Sequence, residues 1–139
     1  MADNAKKPRP VYRNIHVTDI VTYRLPLAGI VSILHRISGA LMFLLMPFFI
    51  WMFDKSVTSE ISYDEFTAVF AGDFGWFFKL LALGLIWGYL THFGAGVRHL
   101  AMEITHSYTK QAGKSTAGVA LVVSTGLTVV LAAKLFGLF

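Results

Sequence analysis

The stretch Leu27–Phe53, LAGIVSILHRISGALMFLLMPFFIWMF, decides how the rest of the chain is read. Apart from a polar island at Ser32, His35 and Arg36 it is almost wholly apolar. As a helix it would extend roughly 40 Å, enough to cross a hydrocarbon core about 30 Å thick with tilt to spare. Pro47 falls inside it. A proline ring displaces the carbonyl one turn back and removes a backbone hydrogen bond, so a kink is expected there. Pro26 stands just ahead, suited to a first helical turn where its missing N–H costs nothing.

Two more apolar segments follow, 74–100 and 116–139. An acidic polar connection, Asp54–Asp73, separates the first two, and a short polar link, His106–Ser115, the last two. Phe74, Trp76, Phe77 and Phe78 open the second segment as an interfacial aromatic belt. Lys79 and Lys134 lie close enough to segment ends to snorkel to the headgroups. The 139 residues are 55% hydrophobic and only 14% charged, and the charges gather between the apolar runs. A soluble domain of this size needs a polar coat; this chain has the composition of one dissolved in a bilayer. The expected fold class is therefore all-α: an integral membrane protein with three transmembrane helices at 27–53, 74–100 and 116–139. These spans make an anchor domain over 27–139, preceded by a basic arm over 1–26. The arm's long polar lead distinguishes it from a cleaved signal peptide. No internal repeat or low-complexity stretch is visible.

The chain has no cysteine, which excludes disulfides, thiolate-held iron–sulfur clusters and cysteine nucleophiles within it. Its net charge of +4 reads as a topology signal, not as an affinity for nucleic acid. Lys6, Lys7, Arg9, Arg13 and Arg24 lie in the arm, and Arg98, Lys110 and Lys114 at the second link. The first connection has Lys55, with Lys79 just inside the next helix. The arm and the second link are thus expected on the cytoplasmic side of a bacterial inner membrane, or on the matrix side in a mitochondrion, the less favoured setting.

Several polar groups sit where apolar ones belong. Arg36 falls about 13 Å into the first helix. A charge at depth costs about 2.5–3.5 kcal/mol on insertion scales, so it is expected to face a protein interior, a partner or a ligand. Ser32 shares its face at i−4, and His35 is adjacent. In the second helix His92 and His99 are two turns apart on nearly one face, roughly 10 Å along the axis. Gly84, Gly88 and Gly96 lie near that face, where small residues admit another helix or a flat macrocycle. Because the two helices run in opposite directions, His92 and Arg36 reach similar depths. Two readings stay open for His92: a helix-to-helix hydrogen bond, or an axial ligand to a haem whose propionates Arg36 and His35 neutralise. Arg98 and His99 read most simply as interface residues, and His16 and His106 as surface residues.

With these residues in view, the sequence resembles the cytochrome b anchor subunits of succinate dehydrogenase. Arg9-Pro10, the run Ser32-Ile33-Leu34-His35-Arg36-Ile37-Ser38-Gly39, and His92 followed by Gly96-Val97-Arg98-His99-Leu100 carry the likeness, which covers almost the whole chain. The resemblance implies a heteromeric helix bundle with a flavoprotein subunit, an iron–sulfur subunit and a second small membrane anchor. It implies haem b held by His92 and by a histidine of the second anchor, with His35 and Arg36 at the propionates. It implies a ubiquinone site containing Ser32 and Arg36. No flavin fingerprint or cluster ligand is present, so succinate oxidation itself would belong to the partners. Family members carry an aspartate after the Arg-His-Leu run, where this chain has Glu103. Two alternatives remain: a quinol:fumarate reductase anchor, and a non-redox protein that only docks a soluble partner.

Overall fold

In the computed structural model residues 16–138 are described; the first fifteen residues of the basic arm, with Arg9-Pro10, lie outside them. The described residues form helices only: α1 (Val17–Thr22), α2 (Leu27–Leu44), α3 (Met46–Val57), α4 (Glu60–Ala71), α5 (Gly75–Thr105) and α6 (Lys110–Leu135). Three of them, α2, α5 and α6, are long and apolar enough to cross a membrane.

The first apolar segment is two helices in series. The helical repeat breaks at Leu45, where ψ is 3°, two residues before Pro47. Pro47 has no N–H to return and its ring crowds the turn behind it, so α3 restarts with the proline in its first turn. The expected kink is present as this break.

The acidic connection is more ordered than its composition suggested. Its middle is α4, opened by Ser59, whose Oγ accepts from the Ser62 N–H at 3.1 Å while Ser62 Oγ accepts from the Ser59 N–H at 2.9 Å. This reciprocal cap satisfies two orphan donors. Helix α4 folds back on α3 and α5. Phe66 meets Trp51 and Phe70 at ring-centroid distances of 6.3 and 5.0 Å, and Phe70 meets Phe78 at 6.3 Å. The turn into α5 needs glycine at position 75, because a Cβ there would collide with the Phe70 carbonyl.

Helix α5 is central: it packs along both α2 and α6. It ends when His106 enters the left-handed region (φ 51°, ψ 31°), with the Ser107 N–H on the Met102 carbonyl at 3.2 Å. That terminator stops the helix sharply. Thr109 then caps α6, its Oγ1 accepting from the Ala112 N–H at 3.2 Å, so the second link is only residues 106–109. Lys79 Nζ lies 5.9 Å from the centre of the Phe136 ring, joining the start of α5 to the end of α6.

The interior is built from small residues. Val31, Ala95 and Ala117 meet where α2, α5 and α6 converge. Gly88 lies against Met42 and the Ser38 carbonyl, and Gly84 against Leu41 and Leu45, so the glycine face of α5 is the face turned to α2. Between lipid-soluble helices there is little hydrophobic drive, and close backbone approach supplies the packing instead. Large side chains such as Phe43, Phe93 and Val122 point outward. Such a surface is suited to lipid and to other membrane helices, not to water.

Candidate functional site

Three histidines gather between α2 and α5. The His35 and His92 rings stack with centroids 3.9 Å apart and planes 18° from parallel. His99 meets His35 edge-on at 5.7 Å. The glycines make this possible. A Cβ at Gly39 would stand 3.0 Å from His92 Cε1, and one at Gly96 would stand 3.8 Å from His35 Nε2. The His92 ring therefore lies against the bare backbone of α2.

One hydrogen bond sets the chemistry of this cluster. His92 Nδ1 is 2.9 Å from the His35 backbone carbonyl oxygen. A carbonyl only accepts, so Nδ1 carries the proton and the Nε2 lone pair is left available. Ser38, with no exposed surface, donates its hydroxyl to the same carbonyl at 2.9 Å and lies 3.4 Å from His92 Nδ1. The carbonyl accepts from both side chains in addition to its place in the helical repeat. The polar atoms of this buried contact are thus satisfied without a second charged group.

Ser32 and Arg36 lie on the same helix but are not part of that contact. Ser32 is half-buried and Arg36 is exposed. Neither side chain has a hydrogen-bond or ion-pair partner among the described residues. Ser38, Ser124 and Thr128 all turn their hydroxyls back onto their own helix, which is the usual outlet in an apolar segment. Ser32 does not. Arg36 is expected to face a protein interior, a partner or a ligand; among the described residues it is exposed, which leaves a partner or a ligand.

Arg98 differs. It is only 8% exposed, its Nε donates to Thr116 Oγ1 at 3.1 Å and its Nη2 to the Gly113 carbonyl at 3.3 Å. Thr116 passes its own proton to the Ala112 carbonyl at 2.7 Å. The arginine read as an interface residue is a buried tie between α5 and α6.

The fit of a haem can be tested on these residues. Among the described residues no group of three histidine, cysteine or acidic side chains could hold a metal ion. A macrocycle supplies most of its own ligands and asks a chain for one or two axial nitrogens and room beside a backbone. His92 offers a correctly protonated imidazole, and Gly39 and Gly96 leave the backbone bare around the stacked rings. The residues fit. Ser38 is the member that sequence reading left without a role; its place three residues after His35, on the same helical face, was the available signal.

An all-helical chain with three candidate spans and a polar cluster between two of them defines a class, the integral membrane anchor. Residues 6–132 match the family model described as succinate dehydrogenase/fumarate reductase transmembrane subunit. The chain belongs to this family. It is 32% identical over 121 residues to the succinate dehydrogenase cytochrome b556 subunit of Coxiella burnetii (strain RSA 493 / Nine Mile phase I), covering 87% of this chain and 90% of that relative. The protein is accordingly a cytochrome b-type membrane subunit of a succinate dehydrogenase/fumarate reductase complex.

Proposed function

We propose that this subunit works in the succinate-oxidising direction, holding haem b together with a second small anchor and contributing Ser32 and Arg36 to a ubiquinone-reduction site. The observation that carries this reading is the His92 Nδ1–H bond to the His35 carbonyl, which orients the imidazole and presents Nε2 as a ligand. When bound, the haem would supply a one-electron store beside the quinone site. His92 would hold its iron from this chain, and His35 and Arg36 would meet its propionates. The His35 ring stacks on the His92 ring, so it would lie close to a group held by His92.

At the quinone site, Ser32 and Arg36 act as a pair one helical turn apart. The Ser32 hydroxyl, unused by its own helix, donates to a quinone carbonyl oxygen. The Arg36 guanidinium offsets the negative charge that develops on the quinone oxygens as electrons arrive. Arg36 is exposed and Ser32 only half-buried in this chain, so partners would complete the pocket. Flavin and cluster chemistry would lie in a flavoprotein and an iron–sulfur subunit docked on the cytoplasmic side, where the basic arm and the 106–109 link would lie. The name of the Coxiella relative favours succinate dehydrogenase over a fumarate reductase anchor.

Two measurements test the reading. A dithionite-reduced minus air-oxidised spectrum of the purified complex is expected to show a b-type haem, and His92→Ala is expected to abolish it. An unchanged spectrum in that variant would move the ligand elsewhere. Arg36→Ala and Ser32→Ala are expected to lower quinone reduction about 10²-fold or more, the cost of losing one preorganised donor at a developing charge, while succinate oxidation by an artificial dye persists. Equal loss of both activities would contradict the assignment. Faster quinol:fumarate turnover than succinate:quinone turnover would favour the fumarate reductase reading.

A further inference from the structure

Ser38 has no exposed surface and is the largest side chain so enclosed among the described residues. A hydroxyl in a spanning helix ordinarily returns to a carbonyl three or four residues back. Ser124 does so with the Ala120 and Leu121 carbonyls, at 2.7 and 3.3 Å, and Thr128 with the Ser124 carbonyl at 2.7 Å. Those carbonyls take no second side chain among the described residues. Ser38 differs in what shares its carbonyl. Its Oγ donates to the His35 oxygen at 2.9 Å, and His92 Nδ1 reaches the same oxygen at 2.9 Å from the neighbouring helix. Oγ and Nδ1 are themselves 3.4 Å apart.

The Nδ1 proton and the Ser38 proton therefore compete for one oxygen. An oxygen that already accepts a hydroxyl, and also belongs to the helical repeat, accepts less strongly from an imidazole. The rest of the ring is held by the same turn of α2. The His35 ring stacks on it at 3.9 Å, and Gly39 leaves the backbone bare where an added Cβ would stand 3.0 Å from Cε1. Alanine at position 38 would leave the carbonyl bonded to His92 and to its own helix, so no buried polar atom would be orphaned. The hydroxyl is not needed to satisfy the contact; what it changes is the strength of the Nδ1 bond.

We propose that Ser38 is a positioning residue for His92: by sharing the His35 carbonyl it limits the hydrogen bond that Nδ1–H makes, and so sets how strongly Nε2 donates. The inference rests on the reading of His92 as the residue that would hold the haem iron. A stronger bond at Nδ1 makes the other ring nitrogen more basic, and a more basic ligand favours oxidised iron. Ser38 therefore raises the potential of a haem held by His92.

The test uses the purified complex with its haem. Ser38→Ala gives the carbonyl to His92 alone. The haem midpoint potential is expected to fall, by up to about tenfold in the oxidation–reduction equilibrium, about 59 mV for one electron. The low-temperature EPR g values of the oxidised haem are expected to shift with it, while haem content and melting temperature change little. Ser38→Thr keeps the hydroxyl and is expected to restore both signals. Ser38→Cys, a weaker donor without an added branch, is expected to lie between wild type and alanine. An unchanged potential and EPR spectrum in Ser38→Ala, with haem absent from His92→Ala, would overturn the positioning role and leave the ligand reading standing. Haem retained in His92→Ala would overturn both. A rise in potential in Ser38→Ala would overturn the proposed direction, and equal shifts in the alanine, cysteine and threonine variants would assign the effect to packing and overturn the role of the hydroxyl.

Discussion

The two ends of this bundle are held by opposite means. At the end formed by α3, α4 and the start of α5, aromatic rings do the packing. Trp51 and Phe48 both meet Phe78 at 6.1 Å, and Phe66 and Phe70 close the cluster from α4. At the other end the contacts are backbone approaches and hydrogen bonds: Gly39 under His92, the shared His35 carbonyl, and the Arg98 tie to α6. The phenyl rings that make most of this cluster fill space and carry no polar atom of their own. Glycines and serines bring helices close but leave specific polar groups to be satisfied, and Ser32 and Arg36 have no partner among the described residues. The difference separates an end packed by rings from an end held by close backbone approach and hydrogen bonds.

That contrast is broken most directly at Phe66. Phe66→Ala removes a ring that contacts Trp51, Tyr63 and Phe70. The ring is half-buried, so the expected cost is about 2 kcal/mol, below the range for fully buried aromatics. Thermal unfolding of the purified complex reads it. The haem spectrum is expected to stay intact, because α4 makes no contact with the histidine cluster. A bleached spectrum at unchanged stability would show the two ends to be coupled and the contrast to be false.

The sequence made the histidine end more legible than the aromatic one. Uncharged runs near twenty residues leave little choice but spanning helices, so the three spans, the break near Pro47 and the glycine face of α5 could be read directly. Helix α4 was hidden. Its stretch has five acidic residues across 54–73, and its apolar positions make sense only once Phe66 and Phe70 find rings on α3 and α5. Tertiary contact, not local pattern, makes that helix. The sequence marked Arg36 as the anomalous arginine and Arg98 as a simple interface residue. Which one is sequestered depends on which face of its helix meets a neighbour, and that required the placement of α6. Ser38 was in plain view inside the motif, yet nothing local said that its hydroxyl and an imidazole would share one carbonyl.

A smaller effect sharpens the comparison at the histidine end. His106 terminates α5 in a left-handed conformation that a side chain enters at a cost of about 1 kcal/mol or more, and that glycine enters freely. His106→Gly is therefore expected to raise stability by up to about 1 kcal/mol without changing the spectrum or quinone reduction. A loss of either function would give His106 a role beyond chain reversal.

The smallest effect belongs to the polar rim of the aromatic end. Lys55 Nζ donates to Glu65 Oε2 at 2.6 Å, the one ion pair among the described residues, and it links α3 to α4 in the open. The Glu65 hydrogen bond, and then its charge, raise the Lys55 pKa above the ordinary lysine value. A raised lysine pKa stabilises the folded state fully below the unfolded value of about 10.4 and loses that contribution as pH climbs through the folded value. Solvent screens an exposed pair, so Glu65→Gln should barely move the melting temperature at neutral pH. The difference between wild type and Glu65→Gln should stay flat from pH 7 to 9, as orders of magnitude set by that pKa of about 10.4, and close above it. Because the rings on either side already hold α4 in place, a large loss at neutral pH would mean that the ion pair, not the aromatic cluster, secures this end of the bundle.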